Sequence, residues 1–142
     1  MNKQKGFTII ELIVVIAIIA ILAGIVLVNV TQYINKAKDS TIKANISTIL
    51  TDAQAYYSDT GRGNGSFSGY LTTATYGNAA AGISSNGGTA TAKCNDSSNN
   101  CTATTATSFC VSSPMATSSL TIYCQDSAGK VGSSACAAGA CP

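Results

Sequence analysis

Apolar residues fill the start of the chain and then settle into a helical rhythm. From Phe7 to Val28, only Thr8, Glu11 and Gly24 are not clearly apolar. As a helix this stretch rises roughly 33 Å, close to the ~30 Å of a bilayer's hydrocarbon core. Its uninterrupted part runs from Leu12 to Val28. Beyond it, Val30, Ile34, Ala37, Ile42, Ile46, Ile49, Ala53 and Tyr56 or Tyr57 recur mainly three or four residues apart. Gln32, Asn35, Lys36, Lys43 and Asp52 take the other positions. That spacing predicts one face of an amphipathic helix. No proline and only one glycine, Gly24, interrupt the chain between Phe7 and Ser58, so the two patterns predict a single helix over about residues 7–58.

The helical pattern stops near Asp59-Thr60-Gly61, and Gly61, Gly63, Gly65 and Gly69 follow as a connector. The connector is no phosphate loop: it lacks GxxxxGK[ST] and follows a helix rather than a strand. Residues 63–108 are mostly small and polar, with Phe67, Tyr70, Leu71, Tyr76 and Ile83 as sparse apolar anchors. This composition predicts irregular, exposed chain. Strand signals come late. SFCVSS (Ser108–Ser113) and SLTIYCQD (Ser119–Asp126) predict an antiparallel hairpin, with a turn at Asp126–Gly129 and a short edge at Lys130-Val131. The expected fold class is α+β: one long N-terminal helix and a small head with a short antiparallel sheet.

Charge and composition narrow the function. Charged residues make up 10% of the chain, the net charge is +2, and histidine and tryptophan are absent. A charge this small gives no sign of a specific nucleic-acid partner. Without histidine there is no Ser-His or Cys-His pair and no His-ligated metal. Asp96 and Asp126 are the only acids after Arg62, too few for a carboxylate-rich calcium site. No nucleophile motif is present, so an enzyme is not expected, nor is a cofactor. The six cysteines, Cys94, Cys101, Cys110, Cys124, Cys136 and Cys141, all lie in the last third, with no CxxC spacing. That pattern predicts disulfides in an oxidising space. Cys94–Cys101 would close a short loop. Cys110–Cys124 would bridge the hairpin, and Cys136–Cys141 would close the tail. A small head with few large apolar residues needs such staples.

Glu11 is the residue that the apolar run does not explain. A carboxylate within a membrane span costs roughly 2.5–3.5 kcal/mol at mid-helix and less near the interface. A secretory signal does not fit, because the apolar run is too long and Ile18 and Ile21 stand three positions before the candidate cuts after Ala20 and Ala23. A plain signal anchor explains the length but not the acid. A cut between Gly6 and Phe7 would create an amine four residues before Glu11. Pairing with that amine, in the same chain or in a staggered neighbour, would make Glu11 a register device for assembly.

K-G-F-T-I-I-E-L followed by a continuous apolar run resembles the class III prepilin signature of type IV pilins and type II secretion pseudopilins. The resemblance covers about residues 1–60. It implies cleavage after Gly6 by a prepilin peptidase, N-methylation of Phe7, and polymerisation through the apolar helices with Glu11 as the assembly residue. It also implies a residence in the bacterial inner membrane before an assembly machinery builds copies of the chain into an extracellular pilus. Filaments of this kind serve adhesion, motility or DNA uptake. The expected parts are a leader (1–6), a membrane or filament-core helix (7–28), an amphipathic half (29–60) and a Ser/Thr/Gly-rich head (61–142). Two features depart from the usual pattern. Val28 and Ala20 stand where major pilins often carry proline and glycine, which moves any weak point in the helix to Gly24. Lys36, Lys38 and Lys43 follow the span on its outer side, against the positive-inside tendency, which a dedicated insertion path, or interaction with Asp39 and neighbouring subunits, would offset. A pseudopilin is the near alternative, and a membrane-anchored extracellular binding module is the alternative of another class.

Overall fold

The computed structural model describes residues 6–96 and 100–142, with the side chains of 27–29 excepted. Lys3 and Lys5 of the expected leader lie outside the described residues. The elements are α1 (Ile9–Ser58), a 3-10 turn (Tyr70–Thr72), α2 (Ala74–Ser85), β1 (Thr91–Cys94), β2 (Phe109–Pro114), β3 (Ile122–Asp126) and β4 (Val131–Gly132). The expected long helix and small antiparallel sheet are both present. The chain divides into two units, residues 1–34 and 35–142, and each is taken by itself.

The first unit is helical from Ile9. Its apolar side chains have no cover: those described from Phe7 to Ile34 are 46–79% exposed. Val30 and Ile34 are among them, although their spacing places them on the amphipathic face. By length and composition α1 is able to cross a membrane. Gly24 is helical like its neighbours.

The second unit has its own core. Ile42, Ile46, Ile49, Leu50, Ala53 and Tyr56 are the buried stripe of α1. They meet Phe67 and Tyr70 from the connector, Ala79 and Ile83 from α2, and Phe109 and Val111 from β2. Five aromatic contacts tie these parts together. Phe109 stacks on Phe67 at 5.4 Å between centroids and meets Tyr70 edge-on, also at 5.4 Å. Such pairs add about 0.5–1.5 kcal/mol beyond area burial. The buried Tyr70 hydroxyl donates to the Ile49 carbonyl at 2.8 Å, as a buried polar tip must find a partner. Burial pushes the Tyr70 phenol well above its ordinary pKa and raises that of Tyr76.

The sheet is an antiparallel meander in the order β1-β2-β3-β4. The period of two sends Phe109 and Val111 into the core. Cys110 and Ser112 then face the other way and meet Asp126 and Cys124 across β3.

Two elements arise where irregular chain was expected. In α2, Thr73 caps the first turn by accepting from the Tyr76 amide at 3.3 Å. Three consecutive alanines propagate the helix. Asn86 and Gly87, the latter at φ +85°, close it. The strand β1 is polar, because as an edge strand it buries only Cys94 fully. Between β1 and β2, the Asp96 carboxylate accepts from the amides of Asn100, Thr102 and Ala103 at 2.7–3.1 Å. Side-chain acceptors thus replace a regular ladder there.

Candidate functional site

The candidate site is the start of the chain. Gly6, Phe7 and Thr8 precede the first helical residue, and all three are exposed. A Cβ placed on Gly6 would meet nothing within 4 Å. The chain itself therefore does not demand glycine there. Thr8 and Glu11 form a reciprocal cap. The Glu11 carboxylate accepts from the Thr8 amide at 2.9 Å and from its hydroxyl at 2.7 Å. The Thr8 hydroxyl oxygen accepts in turn from the Glu11 amide at 3.3 Å. This is a capping box, in which two residues satisfy orphan donors of a first helical turn. The signal for it was in the sequence as T-x-x-E before an apolar run, and the reading of Glu11 as a lone acid passed over it. The acid sits where the positive end of the helix dipole favours it.

Asp39, one of the expected partners of the lysines after the apolar run, is engaged by Thr117. Asp39 accepts from both the amide (3.1 Å) and the hydroxyl of Thr117, tying α1 to the β2–β3 loop. Lys43 lies 5.3 Å from the centre of the Tyr123 ring, a cation–π distance. At the end of α1, the Asp59 carboxylate accepts from Arg62 Nε at 2.8 Å and from the Gly61 amide. Arg62 first, and then that amide, hold the Asp59 carboxyl below its ordinary range.

All six cysteines are bonded, as Cys94–Cys101, Cys110–Cys136 and Cys124–Cys141. Two expected bridges, Cys110–Cys124 and Cys136–Cys141, are therefore corrected. The reason lies in the register. Cys110 pairs with Asp126 and Cys124 with Ser112, so the two cysteines are diagonal on one face. Diagonal neighbours stand ~7–8 Å apart, beyond the usual Cα reach of a disulfide. The tail crosses that face and bonds to both strands. Gly139 permits the crossing: it sits at φ +78°, and a Cβ would fall 2.6 Å from the Ser108 carbonyl oxygen. Three sulfurs, of Cys110, Cys124 and Cys136, lie within 4.8 Å of one another, but as disulfide sulfurs they offer no thiolate to a metal.

Comparison with known proteins bears on the first segment. Residues 1–27 match the family model for the prokaryotic N-terminal methylation motif. The chain is 37% identical over 60 residues to the type IV major pilin protein PilA of Myxococcus xanthus, covering 42% of this chain and 27% of that protein. Over this segment the chain is similar to type IV pilins.

It is also 46% identical over 55 residues to the type IV major alpha-pilin of Moraxella bovis, covering 39% of this chain and 35% of the relative. The type IV wide pilus major component PilA4 of Thermus thermophilus is 39% identical over 59 residues, or 42% and 45% of the two chains. The matched part thus spans under half of these pilins' own length. No solved structure matches the chain at a significant level.

Proposed function

We propose that the chain is a prepilin: cut after Gly6, N-methylated on Phe7, and polymerised through its N-terminal helix into an extracellular type IV pilus. One observation carries this reading. A methylation motif over residues 1–27 opens a helix whose apolar side chains from Phe7 to Ile34 find no cover in their own chain. Such a surface requires lipid or other copies of itself. We assign residues 1–6 to the leader, 7–28 to the membrane or filament-core segment, 29–60 to the amphipathic half and 61–142 to the head. The partners are further copies of the chain, a prepilin peptidase, the pilus assembly machinery and, before assembly, the inner membrane. Glu11 is the residue that sets register between copies, and the chain is not an enzyme. The pseudopilin alternative is less favoured, because the matched relatives are named as major pilins.

The test is intact and N-terminal mass spectrometry on material sheared from cells. A chain that starts at Phe7, one methyl group heavier and with six oxidised cysteines, is the expected result. An uncut chain confined to the membrane fraction would replace the filament reading with a membrane-anchored binding module.

A further inference from the structure

The outer face of the sheet carries a two-by-two pattern. Cys110 stands opposite Asp126, and Ser112 opposite Cys124. The tail engages all four. The Cys136 amide donates to Ser112 Oγ at 3.1 Å while its sulfur is bonded to Cys110. The Cys141 amide donates to Asp126 Oδ2 at 3.2 Å while its sulfur is bonded to Cys124. Each tail cysteine is therefore held twice, by backbone to the polar member of one strand pair and by sulfur to the cysteine of the other. Ser112 and Asp126 are 2% and 6% exposed, so both hydrogen bonds are sheltered from water.

Sulfur proximity alone does not choose this pairing. Cys124 Sγ and Cys136 Sγ, which are not bonded to each other, are 3.6 Å apart. Four cysteines allow three connectivities, and this cluster brings one bond of a second connectivity within reach. During folding, a Cys136 thiolate in a chain that already holds Cys124–Cys141 is placed to attack Cys124 Sγ. The Cys124–Cys136 bond forms, the Cys124–Cys141 bond breaks, and Cys141 leaves as the thiolate. No electrons are gained or lost in that exchange. What separates the two connectivities is where the tail backbone is held.

We propose that Ser112 and Asp126 are positioning residues for disulfide pairing: they anchor the Cys136 and Cys141 amides and thereby select Cys110–Cys136 with Cys124–Cys141. Asp126 is suited to the role because its other oxygen accepts from the Ala128 and Lys130 amides at 3.1 and 2.9 Å. The β3–β4 turn thus fixes the carboxylate before the tail arrives.

The test is oxidative refolding of the full chain in detergent micelles with a glutathione redox buffer. Acid quenching and peptic digestion follow, at a pH where thiolate is scarce and exchange stops, and the disulfide map is read by mass spectrometry. Native Cys94–Cys101 serves as the internal sign that the head has folded. Asp126→Ala, which also strips the Ala128 and Lys130 amides of their acceptor, should raise the ratio of Cys124–Cys136 isomer to native pairing by roughly tenfold or more, and Ser112→Ala should raise it by about five- to tenfold. That is the size expected for one buried hydrogen bond. Ser112→Thr, which keeps the acceptor, should stay near wild type, and Asp126→Asn, which keeps one accepting oxygen of the two, should fall between wild type and Asp126→Ala. Ser113 is equally buried but accepts from the Thr89 amide instead, so Ser113→Ala controls for general loosening. An unchanged map in Ser112→Ala, or equal scrambling in Ser113→Ala, would overturn the proposal.

Discussion

Glu11 can act as a helix cap or as a charge for a partner, and one substitution separates the two. In the chain by itself the carboxylate is occupied by Thr8. Glu11→Gln keeps a side-chain oxygen at the same place, and a capping box accepts Gln as well as Glu. Glu11→Ala removes both functions. Loss of the cap costs about 1 kcal/mol, less than a tenfold change in any equilibrium that depends on the first helical turn. A charge that pairs with the new Phe7 amine in a dry filament core is worth more: leaving one member of a buried pair alone costs about 3–5 kcal/mol. At 1.4 kcal/mol per factor of ten, each subunit-joining step would weaken by roughly a hundredfold or more. Insertion should move in the opposite direction, since either substitution takes a charge out of the membrane segment. The assay is sheared-filament yield against membrane-inserted, processed chain for wild type, Glu11→Gln, Glu11→Ala and Thr8→Ala. Expected is normal or improved insertion in all the Glu11 variants and filament loss in Gln nearly as deep as in Ala. Thr8→Ala, which breaks the cap and keeps the charge, should lose less than a factor of ten. Wild-type filament yield from Glu11→Gln would refute the charge role and leave only the cap.

Other consequences follow from burial and exposure. Gly6→Val should leave the head's thermal unfolding unchanged, because nothing crowds that position, while uncut precursor accumulates on intact-mass analysis. Ile46→Ala, at a fully buried position of α1, should cost about 2–5 kcal/mol, read as a lower midpoint in chemical denaturation. Alkali should destabilise the head through Tyr70. Its folded pKa is raised by burial, so its contribution is complete below the unfolded value near 10 and falls as pH rises beyond it, by up to ~1.4 kcal/mol per pH unit. Tyr70→Phe should be less stable at neutral pH, having lost the Ile49 hydrogen bond, yet show a shallower alkaline decline; an unchanged slope would mean that Tyr70 ionises freely in the folded head.

The parts legible in the sequence are those written in a single period. Ile42, Ile46 and Ile49 repeat at helical spacing and are buried together, and the late hairpin alternates as a strand pair should. The unread parts depend on partners far away in sequence. The α2 segment has Gly77 and Gly82 within it, which argues locally against a helix. Yet Gly82 sits where a Cβ would come 3.0 Å from the Asn45 side chain, so close packing on α1 takes advantage of the glycine. The disulfide map was closed to sequence reasoning for a related reason. A two-residue difference in strand register decides whether Cys110 faces Cys124 or lies diagonal to it, and no local signal fixes that shift. The capping box differs from both: T-x-x-E is a local signal, and the bond it predicts is the one that Thr8 and Glu11 make.

The exposed first segment also explains why assembly of the proposed kind needs direction. Within a bilayer, apolar helices gain nothing from hiding apolar surface against each other, because lipid tails are just as apolar. Joining there must rest on close packing, on head contacts and on polar groups such as Glu11 that lipid does not satisfy. Once the helix has left the membrane, the balance reverses. The side chains from Phe7 to Ile34 stand about half to four-fifths exposed in the single chain. Returning each of them to water costs on the order of 1.5–3 kcal/mol, which sums to tens of kcal/mol for a subunit that leaves the filament. The same helix is therefore weakly associating on the inside and nearly irreversible on the outside. A short polar signal at its start can decide register at the membrane, and the apolar length behind it then makes that decision permanent.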